Sequence, residues 1–278
     1  MIGPDFTGTL TNLSNDDYHA DDHFLSSSRL KTHLPELYKA GGSQDALDFG
    51  SLFHTVVLEP NLVDTECVAL DADKIGVKAD GTVAQNPTMT AAWKRAVAEA
   101  QEDGKKVIAQ QDLNRAMWMR DAVLAHPAAA ELLFSDDGQS EVSAFATDEN
   151  GLRHKARFDR HIPGTIVDLK STAAKPGLRS LTNTVIDYGY DLSAAHYMTV
   201  AELLGLDVTT FTLVFVGKEA PYRVTVADLD DTFIDRGRAL RTQALERRLS
   251  NADPYEGATG RLTLLCPEWA LPYEEMVI

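Results

Sequence analysis

The chain has 278 residues, 44% hydrophobic and 24% charged, a balance that excludes a disordered or fibrous chain and a length that can bury one full core. Lys and Arg number 26 against 42 Asp and Glu, a net charge of −16 that argues against nonspecific adhesion to nucleic acid or anionic membranes but leaves room for local basic patches. Cys67 and Cys266 are the only cysteines and lie far apart, which excludes a disulfide framework, a zinc ribbon and a four-cysteine iron–sulfur cluster.

The opening, MIGPDFTGTLTNLSNDDYH, has neither a basic stretch nor an apolar one behind it, and no run reaches the roughly 18–20 apolar residues of a membrane span. A soluble cytosolic protein is expected. Serines 26–28 open a helix predicted over 26–39, with Pro35 inside it. Residues 44–59 carry Leu47, Phe49, Leu52, Phe53, Val56 and Val57 at helical spacing and stop at Pro60, which predicts a largely buried helix. From 61 to 87 a loop with one short strand at 66–70 is predicted, then helices near 88–102 and 110–125, punctuated by Gly104 and Pro127.

Strands over 141–147, 152–162 and 165–171, separated by the turn at 148–151 and by Pro163–Gly164, make a three-stranded meander. A helical pattern follows near 178–204, then strands near 208–216 and 221–226. The last helix, near 228–249, interleaves Arg236, Arg238, Arg241, Arg247 and Arg248 with Leu240, Ala244, Leu245 and Leu249. Such a face lines a DNA channel, pairs with acidic neighbours in an oligomer or is simply solvated, the last being the commonest. The order predicts one α/β domain over 1–278, mainly helical through 1–135 and sheet-bearing over 136–278.

Alternation in TIVDLKS (165–171) puts Ile166, Asp168 and Lys170 on one face and Val167 and Leu169 on the other. An acid and an amine side by side on an apolar strand are costly to bury unless a partner or a metal balances them. Arg157 and Asp159 share a face of the preceding strand, and the tight connection through Pro163 and Gly164 can return Asp159 beside Asp168. Two carboxylates beside a lysine suggest a divalent-metal site, because hard cations take carboxylate oxygens and neutralise charge building on a phosphodiester. The bland alternative is a surface Asp–Lys pair at a strand end. Gly50 and His54 stand at i and i+4 of the 44–59 helix, where glycine permits close approach and the histidine can face a metal; a core histidine is the alternative.

Asp159, followed nine positions on by Asp168-Leu169-Lys170, resembles the PD-(D/E)XK nuclease signature, and DFGSLFH (48–54) resembles the GxxxH helix of its RecB-like branch. With NDDYH (15–19), LSSSRLK (25–31), FGSLFHTVVLEP (49–60) and GLRHKARFDRHIPGTIVDLKST (151–172), the chain is similar over roughly residues 12–205 to the phage and prophage exonuclease VIII (RecE-like) group. The resemblance implies a restriction-endonuclease-like mixed sheet flanked by helices, with an N-terminal helical extension. It implies a magnesium-dependent exonuclease, manganese substituting, that digests duplex DNA 5′ to 3′ and leaves 3′ single-stranded tails.

By the same resemblance His54, Asp159 and Asp168 are metal ligands and the Leu169 carbonyl completes the coordination. Glu141 is the first acidic residue of the site, and Lys170 positions or deprotonates the attacking water. Ser27, Ser28 and Arg29 would take a 5′-phosphate, as a helix start with hydroxyls and a guanidinium can; Arg157, with Arg153 and Lys155, is a further phosphate candidate. Helix capping and solvated charges are the alternatives. The branch's QxxxY is broken: Ser193 stands where Gln is expected and would bond through water, or His196 nearby would help bind phosphate, while Tyr197 is retained and, like Tyr190, serves either DNA or packing. Implied partners are double-stranded DNA ends, a RecT-like single-strand annealing recombinase and further copies in a homo-oligomeric ring, within a phage or bacterial host cytosol. Rival readings are a RecB-like single-strand nuclease without an iron–sulfur cluster and a catalytically silent DNA-binding module.

Overall fold

A computed structural model describes residues 2–3, 5–35, 37, 44–174 and 177–250. Strand β1 (Gly8–Leu10) pairs antiparallel with Ser143–Phe145 and so brings the front of the chain onto the main sheet. Helix α1 (Asn15–Ala20) is capped by Ser14, and α2 (Ser27–Lys31) by Ser26, whose hydroxyl accepts the Arg29 N–H. The helix predicted over 26–39 is thus only one turn and a half where it is described.

Helix α3 (Gln44–Leu58) ends before Pro60, but that proline is the first residue of α4 (Pro60–Glu66), where the sequence predicted a loop. Proline lacks an N–H that the first turn of a helix does not need, so it starts a helix as readily as it stops one. Strand β2 (Cys67–Leu70), α5 (Ala72–Ile75), α6 (Ala91–Glu102) and β3 (Lys106–Ala109) follow, β2 and β3 forming a small parallel ribbon. Helix α7 (Gln110–Ala125) leads to α8 (Pro127–Phe134), again opened by its proline.

The predicted meander is β4 (Gln139–Thr147), β5 (Arg153–Ile162) and β6 (Gly164–Thr172), with Gly164 at φ 82° making the turn that few other residues tolerate. The pattern at 178–204 is two helices, α9 (Leu178–Tyr188) and α10 (Tyr190–Leu203), hinged at Gly189. Strands β7 (Val208–Gly217) and β8 (Val224–Asp228) and helix α11 (Asp231–Leu249) complete the order. The mixed sheet runs β1-β4-β5-β6-β7-β8, with only β6 and β7 parallel.

Each sheet face has its own core. Ala144, Ala156, Phe158, Ile166, Phe211 and Leu213 pack under α9 and α10, while Val167, Leu169, Val214 and Val216 meet Phe53 and Val56 of α3, Met119 of α7 and Leu133 of α8. Strand β6 is therefore buried on both sides around Ile166, Val167 and Leu169, with Asp168 buried among them. Each fully buried side chain such as Phe53 contributes on the order of 1.5–3 kcal/mol over leaving it in water.

Helix α11 crosses α10 so closely that a Cβ on Gly237 would collide with the Asp191 carbonyl. Three of its arginines turn toward the protein: Arg236 pairs with buried Asp191, Arg241 Nε reaches His196 Nδ1 at 3.4 Å and Arg247 donates to the His33 carbonyl at 3.2 Å, while Arg238 makes an exposed pair with Asp235 at 2.9 Å on the helix itself. None of the three readings of that face foresaw these contacts within the chain. Gly50 has nothing within 4 Å of where a Cβ would stand, so close approach is not the reason for glycine there.

Candidate active site

The antiparallel ladder between β5 and β6 runs from Ile162↔Thr165 to Arg160↔Val167 and stops. One step further, the same register would set Asp159 opposite Asp168. There the strands fork, and the Asp159 carboxylate, through Oδ2, accepts the Leu169 N–H at 2.7 Å in place of a strand carbonyl. A buried amide needs a partner, and this one takes a side chain, so the carboxylate is pinned across the seam. Beyond the fork the vacated edge of β5 is taken by Leu25, which receives and returns a ladder bond with Arg153 and Lys155 at 2.8 and 2.9 Å. Helix α2 consequently starts at the mouth of the fork.

Helix α3 brings His54 to the same place. Its Nε2 lies 2.8 Å from the Leu169 carbonyl, which can only accept, so Nε2 carries a proton, and Nδ1 faces Asp159 Oδ1 at 3.6 Å. On β4, Glu141 sits at φ 51°, a left-handed conformation that costs a non-glycine residue about 1–2 kcal/mol. The flanking pairs Ser140↔Arg160 and Val142↔Phe158 keep register, so Glu141 is presented beside Asp159 by a local kink. Ligand atoms of His54, Glu141 and Asp159 lie within 4.8 Å of one another.

Burial pushes the Glu141 carboxyl up, and the nearby Asp159 pushes it further. Two carboxylates and an imidazole nitrogen held this close suit a divalent cation, which would relieve the repulsion that adds to the rise at Glu141. Asp168, also buried, is pushed up by burial against the pull of Lys170, whose Nζ stands 2.6 Å from its Oδ2 and 3.9 Å from Asp159 Oδ2. Burial alone would lower the Lys170 amine, but Asp168 and Asp159 together hold it above its usual value. Of the two roles expected for it, holding position and charge fits this ammonium better than taking a proton.

The remaining expected residues fall in different places. The Leu169 carbonyl is engaged by His54 rather than turned outward. Arg157 is not free for phosphate: Nε binds Glu141 Oε2 at 2.6 Å, and its other two nitrogens donate to the Leu13 and Ser14 carbonyls at 3.0 and 3.3 Å. It orients Glu141 and ties that residue to the entry segment. Lys155 is likewise committed, to the carbonyls of Tyr18 and Asp21.

Ser27 is buried and hydrogen-bonds the Tyr197 hydroxyl, which burial, Asp168 and Asp159 hold protonated. Ser28 bonds Ser26 at 2.9 Å, and Arg29 donates to the Asp22 carbonyl at 2.8 Å. Ser193 turns back to the Gly189 carbonyl at 3.5 Å, so Tyr197 reaches the fork and Ser193 does not. Tyr190, expected to serve either DNA or packing, also comes to it, and so does Lys31, which is outside the expected set. Nothing in their spacing sets them apart, because they meet only when α2 and α10 pack together.

A mixed sheet that forks over two aspartates and a lysine, faced by a helix-borne histidine, is a restriction-endonuclease-like α/β fold of the PD-(D/E)XK type. The chain belongs to the family described as PDDEXK-like domain of unknown function (DUF3799), whose model matches residues 24–251. Among curated proteins none matches it. The crystal structure of a candidate exonuclease from Eubacterium rectale is similar with a TM-score of 0.56 and 16% identity, over 86% of this chain and 85% of that one. A phage-related exonuclease from Haemophilus somnus matches at a TM-score of 0.30 and 13% identity, over 68% of this chain and 99% of that one. Among the described residues no helix is long and apolar enough to cross a membrane.

Proposed function

We propose that this protein is a divalent-metal-dependent exodeoxyribonuclease that digests duplex DNA from 5′ ends. The observation that carries the reading is the fork itself, which sets Asp159, Asp168 and Lys170 together with His54 and Glu141 against them. His54, Glu141 and Asp159 would hold the cation, with Asp168 adjoining. Magnesium, or manganese in its place, would supply Lewis acidity and neutralise charge on the phosphodiester.

The chain's own groups do the rest. Lys170 stabilises the negative charge of the nucleophile as it attacks phosphorus and the P–O bond to the 3′ oxygen of the departing nucleotide breaks, that oxygen taking a proton from water. Arg157 keeps Glu141 aimed, and the Leu169 carbonyl holds His54 in the tautomer that leaves Nδ1 open. Ser28 and Arg29 stand at the mouth of the fork, where a 5′-phosphate would enter. Polarity, a homo-oligomeric ring, cytosolic action and hand-over of 3′ tails to a RecT-like annealing recombinase are supported by the resemblance to the exonuclease VIII group.

Linear duplex DNA with one labelled 5′-phosphate end tests this, with magnesium or EDTA, comparing wild type with Asp168→Ala and Lys170→Ala. The expected result is magnesium-dependent release of the label as mononucleotide, reduced about 100-fold or more in both variants. Variants that digest as wild type does would sink the site. Cleavage of single strands alone would replace the reading with a RecB-like single-strand nuclease, and binding without cleavage with a silent DNA-binding module.

A further inference from the structure

Helix α2 ends in Lys31, whose Nζ donates to the Tyr188 carbonyl at 2.8 Å and stands 5.6 Å over the centre of the Tyr190 ring. The Lys170 ammonium stands 5.5 Å over that same ring. One tyrosine thus holds two ammonium groups near each other, one in the acid cluster and one outside it. Gly189, left-handed at φ 58°, makes room for this: a Cβ there would press on the Lys31 side chain at 3.3 Å and on Leu37 at 3.0 Å.

Lys170 has two carboxylates, but among the described residues Lys31 has no ion-pair partner. The acids that act on it, Asp168 and Asp191, are claimed by Lys170 and Arg236. A carbonyl and a ring face occupy only part of an ammonium's three donors, and a half-buried cation short of an anion is costly. Burial and the neighbouring Lys170 accordingly lower its pKa to about 8.

We propose that Lys31 is a substrate-positioning residue that holds a DNA backbone phosphate adjacent to the scissile one, with Tyr190 spacing it from Lys170. The proposal rests on the nuclease reading and extends it to the strand beyond the cut. Successive phosphates along a strand carry one charge each, so a second cation a short step from Lys170 meets the next one along. The competing explanation is that Lys31 merely ties α2 to the end of α9 through the Tyr188 carbonyl.

Binding of 5′-phosphorylated duplexes, followed by fluorescence anisotropy in EDTA, separates the two. Each duplex carries one uncharged methylphosphonate, stepped inward from the 5′ end, and wild type is compared with Lys31→Met and Lys31→Arg. Expected are about tenfold weaker binding by Lys31→Met, a salt slope shallower by about 0.7–0.9, and binding near wild type for Lys31→Arg. One methylphosphonate position should cost wild type about tenfold and cost Lys31→Met nothing further.

A Lys31→Met protein that loses affinity equally at every position with an unchanged salt slope, or loses none, overturns the proposal, as does wild type that binds no duplex. Cleavage in magnesium is read on the same duplexes. Wild type that cuts but shows no position coupled to Lys31 sinks this inference alone. Wild type that shows the coupling but never cuts sinks the nuclease reading and leaves the phosphate contact standing.

Discussion

His196, on α10, is fully buried where α11 and β5 meet, and its surroundings fix its charge. Its Nε2 lies 3.0 Å from the Lys155 carbonyl and therefore carries a proton, while Nδ1 accepts from Arg241 Nε at 3.4 Å. A second proton would have to sit on Nδ1, facing a guanidinium. The His154 ring is 5.7 Å away and donates through Nε2 to Asp148 at 3.0 Å, so that carboxylate serves His154 instead. Burial first, then Arg241 and His154, lower the His196 pKa to about 3.

A base with a depressed folded-state pKa costs no stability above its unfolded pKa, near 6.5, and costs progressively more as pH falls toward the folded value. In that window the unfolded chain binds a proton that the folded one refuses, at about 1.4 kcal/mol per pH unit. His196 alone should remove about 2 kcal/mol of unfolding free energy between pH 7.5 and pH 5. Urea unfolding at half-unit steps across that range, for wild type and His196→Gln, measures it. Glutamine keeps a donor for the Lys155 carbonyl but does not titrate, so the wild-type curve should fall about 2 kcal/mol further than the variant's. Parallel curves would refute the argument that the imidazole stays neutral.

Gly237→Ala forces a methyl into the Asp191 carbonyl, so α10 and α11 must separate; a loss of about 1–3 kcal/mol in urea unfolding is expected, and an unchanged midpoint would show that the crossing yields freely. Because Glu141 and Asp159 repel each other, magnesium or manganese should raise the thermal midpoint of wild type, by about 2.7 kcal/mol of stability at a hundredfold excess over the dissociation constant. Asp159→Asn should lose most of that shift, and an equal shift in both proteins would place the cation elsewhere.

The central strands were legible because their signals are local. Alternation in 165–171 and the turn at Pro163–Gly164 contain within a dozen residues all that is needed to bring Asp159 to Asp168. His54 was legible from its spacing and its company, although the reason offered for Gly50 was not the structural one. Prolines 60 and 127 misled because the same missing N–H ends one helix and begins another. The two helices hinged at Gly189 share one apolar periodicity, which does not register a change of direction.

Arg157 shows a different limit. Alternation places it on the face of Asp159, yet its fate is decided by the carbonyls of Leu13 and Ser14, backbone atoms that have no signature in a sequence. The arginines of α11 were unreadable in the same way, since the groups that receive them, Asp191, His196 and His33, lie more than forty residues away. Lys31 stood inside a quoted motif but acquires meaning only from the Tyr190 ring that it shares with Lys170.

The bond that Leu25 makes to the open edge of β5 has a consequence for how the molecule can be cut. Residues near the front of the chain are part of the central sheet's own hydrogen bonding, so trimming past Phe24 would leave the Arg153 carbonyl and the Lys155 amide unanswered in the interior. A fragment starting at the nuclease-like strands would therefore lack a wall of its own cleft. Removal of the front of the chain through Leu25 should collapse the cleft, whereas a nick in the 11–24 segment leaves Leu25 on the larger piece and should spare these bonds; Leu25 and β5 are one cooperative unit, interlocked across more than a hundred residues of intervening chain.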